Sequence, residues 1–288
     1  MPGNDTAASG APPPLEAANG AATATTWRER DGPFLVTATD SPHVVSLVAP
    51  DSSSLTGGDA VPSLRRSLTR PLVLIGRGGV IARATLLANT LAQRHECEWP
   101  RATLSTRDTL GDDVRWGAGF AGDVAAPVAL DSLERLTRAD SARLVADLAR
   151  LASALPDDTT AVFRGIPFVV RNAWRFEPVS GAATVIAEIS RRVAQEANQR
   201  EERLLLVAER PAGTPARWRA RWWARALGTE ETVETLDVLA VVRLAGDASP
   251  SAVVGHDAPG GTWQEIVVRD STGSWSRRWR SGVSGACF

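Results

Sequence analysis

The sequence contains no lysine and no tyrosine, so all 32 of its basic side chains are arginines, set beside 10 tryptophans. Without lysine there is no Schiff-base chemistry and no compact ammonium to thread between nucleotide phosphates. Cysteine is scarce: Cys97 and Cys287 make neither a disulfide framework nor a zinc set. The histidines, His43, His95 and His256, stand far apart, and Cys97 and His95 are neighbours in sequence alone. No H-E-x-x-H occurs, and S-G-V-S-G-A at 281–286 departs from the nucleophile elbow because Ala286 replaces its last glycine. No apolar run is long enough for a membrane-spanning helix. The N-terminus has neither the basic region nor the apolar stretch of a secretory signal. Excess charge is missing too: 33 acids against 32 bases give a net charge of -1, with no global basic field to attract nucleic acid. These absences predict a soluble cytoplasmic protein, nuclear in a eukaryote, without a structural metal.

What is present is a globular composition, 43% hydrophobic over 288 residues. Residues 1–26, rich in Ala, Thr, Gly and Pro, read as a disordered tail before a folded region at 27–288. Apolar runs at 33–39, 43–49, 71–76, 101–106, 160–170, 203–209 and 235–246 predict strands, with a polar loop at 51–60. Helical spacing predicts helices near 82–94, 131–155, 182–200 and 214–227. In the second of these, Asp131 is the expected N-cap with Glu134 completing a capping box. A hairpin turning at Ser271–Gly273 closes the chain. Strands alternating with helices, ending in an antiparallel piece, predict a three-layer α/β domain with a mostly parallel sheet.

The segment LVLIGRGGVIARATLLANTLAQ has the layout of a phosphate-binding loop, with Gly76, Gly78 and Gly79 supplying the flexible turn. The full signature is G-x-x-x-x-G-K-[ST]. Here Ile81, Ala82 and Arg83 fill its last three places; an inserted residue restores a charge at Arg83 but no magnesium hydroxyl. Three readings stand: a tight turn without ligand, a degenerate phosphate loop, and a working nucleotide site.

In element order, residues 68–270 resemble the RecA-like fold shared by RecA, RadA and KaiC. The resemblance implies a catalytic glutamate where Arg107 stands and a magnesium aspartate where Arg164 stands, with Asp131 a competing place for the latter. It therefore implies a degenerate, non-hydrolysing relative, of the ImuA/SulA-like or non-catalytic recombinase-paralog type. Such a protein is expected to assemble with partner subunits as an accessory in DNA repair or recombination, with no cofactor. The alternatives are an atypical NTPase that binds Mg–ATP through Arg83 and Asp131, and a structural interaction module.

The segment 214–227 carries Arg217, Arg219, Arg221 and Arg225 with Trp218, Trp222 and Trp223, and no acid. As a helix it would set Arg217, Arg221 and Arg225 in one stripe beside Trp218 and Trp222. Such a surface suits single-stranded nucleic acid, through phosphate pairing and base stacking. It also suits a helix packed on a sheet with its arginines snorkelling outward, or a protein or lipid interface. Trp275, Arg277, Arg278, Trp279 and Arg280 repeat the chemistry near the C-terminus.

Overall fold

A computed structural model describes residues 26–38, 44–48, 70–92, 98–108, 117–156, 161–178, 182–193, 199–211 and 217–285. The expected tail at 1–26 (save Thr26), the loop at 51–60 and the pair Cys97/His95 lie outside them. Six antiparallel strands close into a barrel: β1 (Phe34–Ala38), β2 (Val44–Val48), β3 (Leu72–Gly76), β4 (Gly79–Leu86), β5 (Arg101–Thr106) and β6 (Gly117–Ala121), in the order β1-β2-β5-β4-β3-β6. Alternation explains how one short strand serves two cores. In β3, Leu72 and Leu74 fill the barrel, whereas Val73 and Ile75 face outward onto the rest of the protein.

The remaining strands form two five-stranded antiparallel sheets. The first comprises β8 (Asp131–Ser132), β9 (Val169–Phe176), β10 (Ala183–Val193), β11 (Arg200–Arg210) and β12 (Arg219–Gly228), in the order β12-β11-β10-β9-β8. The second comprises β7 (Ala125–Pro127), β13 (Thr235–Leu244), β14 (Ser251–Ala258), β15 (Gly261–Arg269) and β16 (Trp275–Arg280), in the order β16-β15-β14-β13-β7. The sheets pack face to face through Ile186, Leu205 and Val207 on one and Val238, Val241 and Val254 on the other. The outer face of the second sheet meets the barrel through Leu239, Val242 and Ile266. The outer face of the first is covered by α1 (Arg138–Ser153), which buries Leu144, Leu148 and Ala152 at helical spacing.

This architecture overturns the RecA-like, mostly parallel expectation: every strand pair among the described residues is antiparallel. The glycine-rich segment is a hairpin. Arg77 and Gly78 form its two-residue loop between the paired Gly76 and Gly79, and Gly79 takes φ 115°, a conformation that disfavours side chains. The chain then returns as β4 where a helix at 82–94 was expected. Arg83 sits within that strand, its N–H bonded to Asp108 and its guanidinium 3.4 Å from Asp123 at the exposed surface. A phosphate loop needs a helix N-terminus behind it, and a strand stands there instead.

The helix at 131–155 begins later than expected. Asp131 lies in β8 beside Arg175, and the N-cap is Thr137, whose hydroxyl accepts the Asp140 N–H at 3.2 Å. The expected strand at 160–170 is mostly a 3-10 turn (Ala161–Phe163) and loop; Phe163 and Phe168 are buried, but Val162 and Val169 are about half exposed. Where the structure describes them, the expected helices at 182–200 and 214–227 are strands, chiefly β10 and β12; residues 194–198 and 214–216 lie outside the described residues. β10 is central and, from Val185 to Ala187, apolar on both faces, so its spacing imitates a helix while its pairing with β9 and β11 is continuous to within one bulge.

Candidate functional site

On β10, Glu188, Ser190 and Arg192 alternate on the face that looks toward the second sheet, continuing the line of Ile186. On β11, Glu201 and Arg203 share that face; Arg192 stands opposite Glu201 and Ser190 opposite Arg203. With Arg171 from β9 and Thr235 and Leu236 from the start of β13, these residues line a cavity of about 350 Å³ at the mouth of the sandwich.

Arginine dominates the lining. Arg192 lies 3.1 Å from Glu201 and 3.6 Å from Glu230 on the rim, and Arg203 lies 3.2 Å from Glu201 and donates to the Thr235 hydroxyl at 2.6 Å. Glu201 itself is buried. Burial pushes its carboxyl up, yet Arg203 and Arg192 together outweigh that and hold it below its usual range, so it stays ionised. Arg171 donates through Nε to Ser190 Oγ at 2.9 Å and has no carboxylate partner among the described residues.

Glu188, on the cavity wall, stands beside a further carboxylate, Asp237. Glu188 accepts a hydrogen bond from Asn172 Nδ2 at 2.6 Å, and the Asp237 carboxylate of β13 acts on it electrostatically. Asp237 is in turn bound at 2.8 Å by Arg77 from the tip of the β3–β4 hairpin, whose guanidinium lies over the Trp174 ring at 5.1 Å. The tip of the glycine-rich turn, through Arg77, therefore pins the barrel onto the sandwich. Burial, the largest influence, raises Glu188 to about 7; Asn172 pulls the other way, and Asp237 adds to the rise.

On the far side of Asp237 a smaller cavity of about 210 Å³ reaches His256, Trp263 and Gln264. His256 is buried, bonded to Glu234, and stacked on Trp263 with ring centres 4.9 Å apart. Glu265 sits 3.7 Å from His256 Nε2; burial opposes its ionisation, but His256 and Arg277 hold it below the usual carboxylate range. The Gln264 amide is fully buried with neither polar atom hydrogen-bonded. Among the described residues no group of three or more His, Cys, Asp or Glu is placed to hold a metal.

The residues singled out in sequence are not gathered here. Gly76, Gly78, Gly79 and Arg83 belong to the barrel hairpin. Of the Arg/Trp set, Arg217 is exposed, while Arg221 lies 3.6 Å from Glu209 and Arg225 lies 3.3 Å from Glu202. Trp218 is buried beneath Arg210, Trp223 packs in the helix-covered core, and Trp222 packs between the sheets. A bulge in β12, with Arg221 as the extra residue opposite Val207/Ala208, sends successive tryptophans to different faces, so no adjoining stripes form. In the C-terminal cluster, Trp275 donates to Glu209 at 2.8 Å and Trp279 is buried against the barrel. Arg277 lies 3.2 Å from Glu265, Arg278 pairs with Asp247, and Arg280 covers Trp263. The mouth residues escape the sequence reading because a helix at 182–200 separates Arg192 from Arg203. The signal that finds them is the period-two pattern Glu188, Ser190, Arg192 and then Glu201, Arg203.

No helix among the described residues is long and apolar enough to cross a membrane. Compared with protein-family models, with curated proteins and with solved structures, the chain matches none.

Proposed function

We propose that this protein binds a small anion, a carboxylate or a phosphate, in the arginine-lined mouth of its sandwich. The observation that carries the reading is the convergence of Arg171, Arg192 and Arg203 on one cavity in which Glu201 is the one carboxylate held ionised by its neighbours. Guanidiniums present planar, forked donors matched to carboxylate and phosphate oxygens. Arg171 has donors to spare, since its one hydrogen bond within the protein uses Nε. A concave site with a few convergent polar groups and a perturbed carboxyl is the usual setting for ligand binding. The test is calorimetric titration with inorganic phosphate. Saturable binding with a dissociation constant of about 10 μM to 1 mM is expected, weakened about tenfold by Arg171→Ala. No saturable heat at millimolar phosphate contradicts the reading.

Assembly with a partner subunit is a second reading, favoured by β12, a ten-residue strand whose second edge pairs with nothing among the described residues. Free edges accept partner strands. Sedimentation with concentration tests it for self-assembly: a mass that stays monomeric at tens of micromolar counts against a second copy as the partner.

A further inference from the structure

We infer that the mouth takes its anion together with a proton, stored on Glu188. This rests on the anion-binding reading above and adds its regulation.

The geometry leaves the proton one place to sit. Glu188 Oε2 accepts from Asn172 at 2.6 Å, while Oε1 is buried with no donor to it. A buried carboxylate oxygen without a donor favours the protonated form, and the Asp237 carboxylate acts against a second negative charge beside it. Asp237 has Arg77 at 2.8 Å as its ion-pair partner whereas Glu188 has none among the described residues, so the proton belongs to Glu188. Burial acts in the same direction, placing Glu188 at about 7, where it changes charge within the physiological range.

Arg171 on β9, Arg192 on the same strand as Glu188, and Glu201 and Arg203 on β11 line the cavity with that carboxyl; Asp237 and Arg77 stand behind. With Glu188 neutral, three lining guanidiniums face the single carboxylate Glu201. Ionised, Glu188 adds a second negative charge to the wall. An incoming anion is repelled by that charge, and its arrival raises the carboxyl's hold on a proton. Binding is therefore strong below the Glu188 transition and weakens above it.

Sulfate is the probe, because it remains a dianion across the range and any pH dependence belongs to the protein. Titrated at constant ionic strength, the full chain should bind sulfate about five- to tenfold more weakly at about pH 8 than at about pH 6. Glu188→Gln should remove that difference. In the unaltered protein, calorimetry near pH 7 in two buffers of different ionisation heat should register uptake of roughly half a proton per sulfate. Equal affinity at both pH values, no proton uptake, or a pH dependence that survives Glu188→Gln overturns the inference while leaving the anion site standing. Absence of saturable binding even at about pH 6 removes the site and the proton together.

Discussion

Replacing Glu188 by glutamine should stabilise the protein in mild alkali and do little in acid. In the folded state Glu188 rises from its ordinary 4.5 to about 7, chiefly through burial. The folded form therefore holds a proton that the unfolded form has released, and stability falls as pH climbs from about 4.5 to about 7 before levelling off. That span amounts at most to about 3 kcal/mol, and solvent reaching the half-buried carboxyl reduces it to about 2 kcal/mol. Glutamine keeps the carbonyl that accepts from Asn172 and stays neutral beside Asp237 at every pH. Urea unfolding of both proteins reads the difference. The variant should lead by about 2 kcal/mol at about pH 8, and by well under about 1 kcal/mol at about pH 5. Glu201 and Glu265, held low, act in the opposite direction, but they are common to both proteins and cancel. An equal difference at both pH values, or a variant weaker than its parent at about pH 8, refutes the reasoning.

The packing sets three further outcomes. Leu148→Ala, at a wholly buried position under α1, should cost about 3 kcal/mol in denaturant unfolding. Thr137→Ala removes the N-cap of that helix and should cost about 1 kcal/mol, read as a lower thermal midpoint. Arg191 lies 2.6 Å from the fully buried Glu202 and against the Phe168 ring at 4.3 Å; Arg191→Ala should cost about 3–5 kcal/mol, and a loss under about 1 kcal/mol would show the pair to be dispensable.

Some of the fold is legible in the sequence. The runs at 71–76, 101–106, 203–209 and 235–246 are strands, and α1 lies inside the helix expected at 131–155. The errors share a physical origin. The first half of β10 is buried on both faces and carries no period-two signature, so Val185, Ile186 and Ile189, with Val193 beyond, match a helical template. The β-branched content of β10 is the contrary signal. In and just before β12 the fourfold spacing of Arg217, Arg221 and Arg225 is coincidence, and the bulge at Arg221 erases the alternation that would mark a strand. The hairpin at Gly76–Gly79 reads ambiguously because glycine-rich turns serve hairpins and phosphate loops alike. The chain just past the turn decides between them, and there Val80, Ile81 and Thr85 favour a strand. The mouth is hidden for the same reason, since its residues converge only when β10 and β11 pair.

If three arginines at the mouth of the sandwich hold an anion, their Nε–H resonances report it residue by residue during titration with phosphate. Those of Arg171, Arg192 and Arg203 should move together along one saturating curve, while Arg217 and Arg278, outside the cavity, stay fixed. Linear, unsaturated drift at all arginines, or saturation at Arg217 and Arg278 instead, contradicts an anion site at the mouth.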